Sequence, residues 1–265
     1  MSTAVTSLAP AAPLLNLLGV SKAFEAKGDT TQALDDVSFS VQRGQFVSLI
    51  GPSGCGKSTI LNLTAGLMAA DEGEVAFDGR TVGGPNRRVG YMTQDDALFG
   101  WRNLLDNVAL PLEIQRIAKP QRHARAAEML ARVGLAGFER HYPNQLSGGM
   151  RKRVSLARTL IYSPEFLLLD EPLGALDAQT RLVMQLELRR LVDALGLTVM
   201  LVTHDLHEAI TLSDRILVFS KRPAQLIHEL QVPRTGDQPP AQDVQTALYA
   251  QLWQWLTPEQ EHIHD

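Results

Sequence analysis

The run Gly51-Pro-Ser-Gly-Cys-Gly-Lys-Ser-Thr59 constrains this chain more than any other stretch. It follows Phe46 to Ile50, an apolar run of strand length, and leads into residues 58–68, which read as a helix. Glycines at the G-x-x-x-x-G-K-[ST] spacing let the backbone curl until successive N–H groups point inward. The helix that starts there adds orphan N–H groups and the positive end of its dipole. Such a cradle suits phosphate oxygens. Gly51, Pro52, Ser53, Gly54, Cys55, Gly56, Lys57, Ser58 and Thr59 are therefore the candidate nucleotide-binding residues. Lys57 offers a point charge to the β- and γ-phosphates, and Ser58 a hydroxyl to Mg2+. Cys55 has two readings: a thiol made redox-sensitive by the helix N-terminus, or a small side chain that fits the loop.

The remaining pattern is α/β. Phe166 to Leu169, Val199 to Val202 and Ile216 to Phe219 are almost continuously apolar, as strands buried on both faces of a parallel sheet are. Helical stretches over 58–68, 153–161 and 179–194 separate them, implying right-handed crossovers. Val37, Phe39 and Val41 alternate with Ser38 and Ser40, which predicts a half-exposed strand of an antiparallel sheet, ended by a turn at Arg43-Gly44. Between 95 and 162 no strand is evident. Residues 121–133 place Ala124, Ala127, Leu130 and Ala131 on one side of a helix, so a helical subdomain inserted at about 95–162 is expected. Residues 1–12 read as a flexible N-terminus and 13–232 as the main domain. Residues 233–265 read as a loop and a helix docked through Val244, Leu248, Leu252 and Trp255.

Two apolar strands deliver chemistry at their C-terminal ends, where ligands of open α/β sheets bind. Asp170 and Glu171 follow Leu169; Asp170 is placed to reach the metal through water, and Glu171 to polarise an attacking water as general base. His204 emerges at the same edge after Val202, positioned to hold a γ-phosphate, the water and Glu171 in line. A second anion cradle lies elsewhere. Leu146-Ser147-Gly148-Gly149-Met150 precedes a helix, with Ser147 near its N-cap. One phosphate-loop lysine and two cradles suggest a head-to-tail dimer in which each copy's Ser147, Gly148 and Gly149 close over the nucleotide of the other.

Composition closes other routes. The net charge of −4 gives free nucleic acid no global attraction. One cysteine excludes an intrachain disulfide framework and a multi-Cys zinc site. No segment reaches the roughly 20 apolar residues needed to span a bilayer. A cytoplasmic protein is expected, with any membrane role supplied by a partner.

With these motifs in this order, the chain resembles the ATP-binding subunit of an ABC transporter over about residues 14–230. The resemblance implies a P-loop NTPase core with an N-terminal antiparallel β subdomain and an inserted helical subdomain. It makes Gly51 to Thr59 the Walker A loop, Gln94 the Q-loop glutamine and a metal contact, and Leu146 to Met150 the signature motif. Phe166 to Glu171 becomes Walker B, Gly174-Ala175-Leu176-Asp177 the D-loop and His204 the switch histidine. Phe24 stands where the family stacks an aromatic ring on adenine. Asp170 to Arg181, Leu212 to Pro223, and Trp101 with Asn107 to Leu112 are similar to nitrate, sulfonate and taurine importer cassettes. Gly100 replaces a usual Pro and Lys152 a common Gln, and neither is expected to touch the chemistry. The resemblance further implies ATP and Mg2+ as ligands, a homodimer, transmembrane permease subunits and, indirectly, a periplasmic or extracellular solute-binding protein. It places the chain peripherally on the cytoplasmic face of the inner membrane. Leu98, Phe99 and Trp101 are candidate permease contacts or subdomain core. An importer of another solute class, a soluble ABC ATPase and a non-hydrolysing regulatory module are the alternatives.

Overall fold

A computed structural model describes residues 12–26, 29–174, 177–234, 236 and 238–257. Two sheets organise it. The first is antiparallel, in the order β2-β1-β4-β5, from β1 (Leu15–Ala26), β2 (Asp29–Val41), β4 (Glu72–Phe77) and β5 (Arg80–Thr81). Val37, Phe39 and Val41 of β2 are buried, whereas Ser38 is exposed and Ser40 half-buried, so the alternation read from sequence sets the buried face.

The second sheet has the order β10-β9-β3-β8-β7-β6. Its strands are β3 (Phe46–Ile50), β6 (Val89–Met92), β7 (Phe166–Asp170), β8 (Thr198–Val202), β9 (Arg215–Phe219) and β10 (Leu226–Gln231). Only β10 runs antiparallel to its neighbour. The continuous apolar runs are explained by what covers each face. Val47, Leu49, Phe166, Leu168, Met200 and Val202 pack toward the antiparallel sheet and toward Ile60 and Leu61 of α1 (Lys57–Thr64). Phe46, Leu167, Leu169, Val199 and Leu201 pack on the other side with Leu156 and Leu160 of α4 (Gly148–Leu160) and Leu188 and Val192 of α5 (Ala178–Leu195). A strand covered on both faces gains from an apolar residue at every position.

Between β6 and β7 lie α2 (Leu104–Ile114), α3 (Lys119–Arg132), a short 3-10 turn and α4. Leu104, Val108, Leu112, Ala126, Leu130 and Val154 form a core of their own. The α3 face differs from the sequence expectation. Ala126 and Leu130 are buried, with Met129 and Val133 beside them, while Ala124 and Ala131 are exposed. Alanines populate both sides of this helix, so their spacing alone misplaced the stripe. Helix α1 also ends earlier than expected. At Gly66, φ is +70° and a Cβ would lie 1.9 Å from the Gly84 carbonyl oxygen, so the chain turns there where only glycine fits.

Helix α7 (Gln242–Leu256) buries Leu248 and Leu252 against Leu206 and Ile210 of α6 (Leu206–Leu212) and against Ile216 and Val218 of β9. Two histidines reinforce the dock: His207 stacks on Tyr249 at 4.6 Å and His228 on Trp255 at 4.3 Å. His262 and His264 lie outside the described residues, as do residues 1–11 of the expected flexible N-terminus. Among the described residues no helix is long and apolar enough to cross a membrane.

Candidate functional site

The C-terminal end of β3 delivers the chain into the loop 51–56, and α1 begins directly behind it. Gly56 caps α1 without any side-chain bond, leaving the first N–H groups of the helix to a ligand. Its φ of +132° and the Ala33 carbonyl oxygen, 2.8 Å from where a Cβ would stand, admit no side chain. Lys57 is buried and its Nζ donates to the carbonyls of Gly51 and Pro52, each at 2.8 Å. The ammonium is thus held inside the curl of the loop. Cys55 is buried in the core between the two sheets, 3.7 Å from Lys57 Nζ; its place is that of the small residue that fits the loop.

A cavity of about 290 Å³ lies against this loop, bounded by Ser53, Gly54, Gly56 to Thr59, Gln94, Asp170 and Glu171. Residues far apart in sequence meet there because β6, β7 and β8 are parallel neighbours ending at one edge. Asp170 is half-buried at the end of β7 and lines the cavity together with Ser58. Burial pushes its carboxyl up, while Ser58, Lys57 and Tyr91 pull the other way; the neighbouring Glu171 charge adds to the rise. A hydroxyl and a carboxyl converging in this way, with the Gln94 amide beside them, form an oxygen donor set of the kind Mg2+ takes alongside phosphates.

Glu171 has a positive φ of 45°, a conformation that costs a non-glycine residue about 1–2 kcal/mol and that collects at functional sites. Its backbone N–H is fixed by the Val202 carbonyl at 2.9 Å. Its two carboxylate oxygens are taken by different residues. Gln94 Nε2 donates to Oε2 at 3.2 Å, and His204 Nδ1 lies 3.2 Å from Oε1. The structure therefore brings together Lys57, Ser58, Gln94, Asp170, Glu171 and His204. Ser147, Gly148, Gly149 and Phe24 do not line this cavity. Ser147 caps α4, its Oγ accepting the Met150 N–H at 3.3 Å. Phe24 stands on β1 opposite Thr31, 41% exposed. Ala175 and Leu176 of the D-loop lie outside the described residues.

Three residues were missed or misjudged by the sequence reading. Arg222, on the segment after β9, borders the cavity and donates to the Gly54 carbonyl. Asn107 is fully buried. It accepts the Phe99 N–H at 2.8 Å and donates to the carbonyls of Phe99, Arg102 and Asn103, so it pins the turn that carries Trp101. Trp101 is 77% exposed, whereas Leu98 packs against the core of the helical insert and Phe99 is half-buried, so only the tryptophan is a free surface. Lys152, expected to stay clear of the chemistry, donates from Nζ to the Gln94 carbonyl at 2.6 Å. A polar residue in a helix gave no local sign of that contact; its only signal was its departure from the family's common residue.

The comparisons with known proteins agree with this geometry. The sequence description of the ABC transporter family matches residues 34–174. The chain is 46% identical over 217 residues to the taurine import ATP-binding protein TauB of Burkholderia pseudomallei, covering 81% of this chain and 84% of that protein. It is 44% identical over 212 residues to an uncharacterized ABC transporter ATP-binding protein, MJ0412, of Methanocaldococcus jannaschii, covering 80% and 79%. The dimeric post-hydrolysis structure of the ATP-binding cassette MJ0796 bound to ADP and Pi superposes with a TM-score of 0.74 at 33% identity. That match covers 83% of this chain and all of the other. The phosphate loop, the paired acids at the sheet edge and these likenesses together place the chain in the ABC transporter family, as an ATP-binding ATPase subunit.

Proposed function

We propose that this ATPase powers an importer for a small anionic solute of the nitrate, sulfonate or taurine type. In this reading it works as a homodimer on the cytoplasmic face of the inner membrane, beneath transmembrane permease subunits supplied by a solute-binding protein. Residues 13–232 form the ATPase unit, with the helical insert at about 95–162 and an appended C-terminal segment at 233–265. The solute class rests on the likeness to taurine import ATP-binding proteins and on the stretches around Trp101, Asp170 and Leu212. The exposed Trp101, held out by buried Asn107, supports a permease-facing surface and favours transport over a soluble ABC ATPase.

The observation that carries the hydrolytic reading is the bracketing of Glu171 by Gln94 and His204 beside the phosphate loop. In it, the loop N–H groups and Lys57 bind the β- and γ-phosphates, and Phe24 stacks on adenine. Ser58, Asp170 and Gln94 hold Mg2+, which neutralises phosphate charge when bound. Glu171 accepts a proton from water as the water oxygen bonds in line to the γ-phosphorus and the bond from that phosphorus to the bridging β-phosphate oxygen breaks, ADP leaving. His204 fixes the Glu171 carboxylate and contacts the γ-phosphate. The signature residues Ser147, Gly148 and Gly149 close over the partner's nucleotide, which accounts for their standing off the cavity of their own chain. Positioning and charge stabilisation then supply most of the rate.

Glu171→Gln tests this. The variant is expected to bind ATP, to elute as a dimer with it, and to release phosphate at least about 100-fold more slowly, the range of a lost general base. Near-normal phosphate release would remove Glu171 from that role. A protein that stays monomeric at saturating ATP would refute the shared site.

A further inference from the structure

The loop that carries Gln94 is fastened almost entirely by one helix. Residues 94–97 follow β6, and Ala97 has a positive φ of 47°, a conformation that does not hold itself. Three cations of α4 reach across to them. Lys152 Nζ donates to the Gln94 carbonyl at 2.6 Å and lies 3.0 Å from Asp96 Oδ1. Arg151 Nε donates to Asp96 Oδ2 at 3.2 Å. Arg158 donates to the carbonyls of Ala97 and Asp96 at 2.7 and 2.9 Å.

Lys152 differs from the other two. Its side chain is only 7% exposed, so its ammonium has little access to water, and its single main-chain partner is the residue whose amide bears on Glu171. The carbonyl and the side chain of the same residue are thus each held, one by Lys152 and the other by Glu171. A charge-assisted hydrogen bond from a buried ammonium fixes an atom more tightly than one from an exposed ammonium.

From this we infer that Lys152 is a positioning residue for hydrolysis: it fixes the Gln94 backbone so that the Gln94 amide meets Glu171. It does so from the helix capped by Ser147, five positions earlier. The grip that places Gln94 in its own site is therefore rigidly joined to the cradle offered to the partner's nucleotide. The inference rests on the hydrolytic reading above; Glu171→Gln tests that reading, and the variants below test Lys152 by itself.

Lys152→Met removes the grip at nearly constant volume, and Arg151 still compensates Asp96. Steady-state hydrolysis by the full chain is expected to lose about tenfold in kcat, the worth of one misplaced contact, with KM for ATP within about twofold. In a Glu171→Gln background, ATP affinity is expected to stay unchanged. Backbone amides of Asp95 to Ala97 are expected to exchange hydrogen faster. Lys152→Gln, which keeps an N–H donor but not the charge, is expected to recover most of kcat. Lys152→Ala also removes the grip while leaving the Arg151–Asp96 pair matched, and serves if the Met variant does not fold; the same loss is expected. Wild-type kcat in the Met variant, a KM rise matching the kcat loss, or a Gln variant no better than Met would each overturn the assignment.

Discussion

Glu208 lies one helical turn beyond His204, on α6, and is the most perturbed acid near the site. Only 3% of it is exposed. Its Oε2 accepts a hydrogen bond from Thr203 Oγ1, which itself accepts the Asp205 N–H at 3.0 Å, while Oε1 has no partner among the described residues. Burial pushes this carboxyl from 4.5 up to about 7; the Asp205 charge adds to the rise, and the Thr203 hydrogen bond, Arg181 and His204 oppose it. In the folded protein the proton is kept to a higher pH than in the unfolded chain. Between pH 4.5 and about 7 the native state therefore holds a proton the unfolded state has released, and stability falls as pH rises through that window. Above it the loss is complete and flat. A shift of this size corresponds to about 3 kcal/mol. Glu208→Gln keeps an acceptor for Thr203 and has no charge to bury. It is expected to exceed wild type by up to about 3 kcal/mol at pH 8 and by under about 1 kcal/mol at pH 5. Urea unfolding at pH 5, 6, 7 and 8 reads this directly. Parallel stability curves for the two proteins, or a variant less stable than wild type at pH 8, would refute the reasoning.

Two further outcomes follow from burial and bonding. Lys57→Ala deletes the ammonium that spans the phosphate loop and should weaken ATP binding by about 10- to 100-fold, the worth of a charge-assisted hydrogen bond; equilibrium binding of unhydrolysed ATP measures it, and unchanged affinity would contradict the phosphate role. Leu252→Ala opens a hole under α7, where Leu252 is fully buried, and should cost about 2–4 kcal/mol in chemical unfolding. A cost below about 0.5 kcal/mol would show that the helix does not share the stability of the domain.

The amino-acid sequence by itself determined what backbone geometry and local chemistry dictate. Glycine spacing after an apolar run fixed the phosphate loop, period-two alternation fixed the face of β2, and unbroken apolar runs marked strands covered on both sides. Asp170, Glu171 and His204 were legible because each stands at or just past the C-terminal end of such a strand. The tertiary structure alone decided what depends on distant segments meeting. Nothing local to Gln94 announces that its amide reaches Glu171, 77 positions away. Nothing local to Lys152 announces that its ammonium grips the Gln94 carbonyl, and the alanines of α3 do not say which side is buried. Those contacts follow from the sheet order and from how α4 lies against the loop after β6. Periodicity records how a segment meets solvent and core; it carries no record of which other segment lies across the gap.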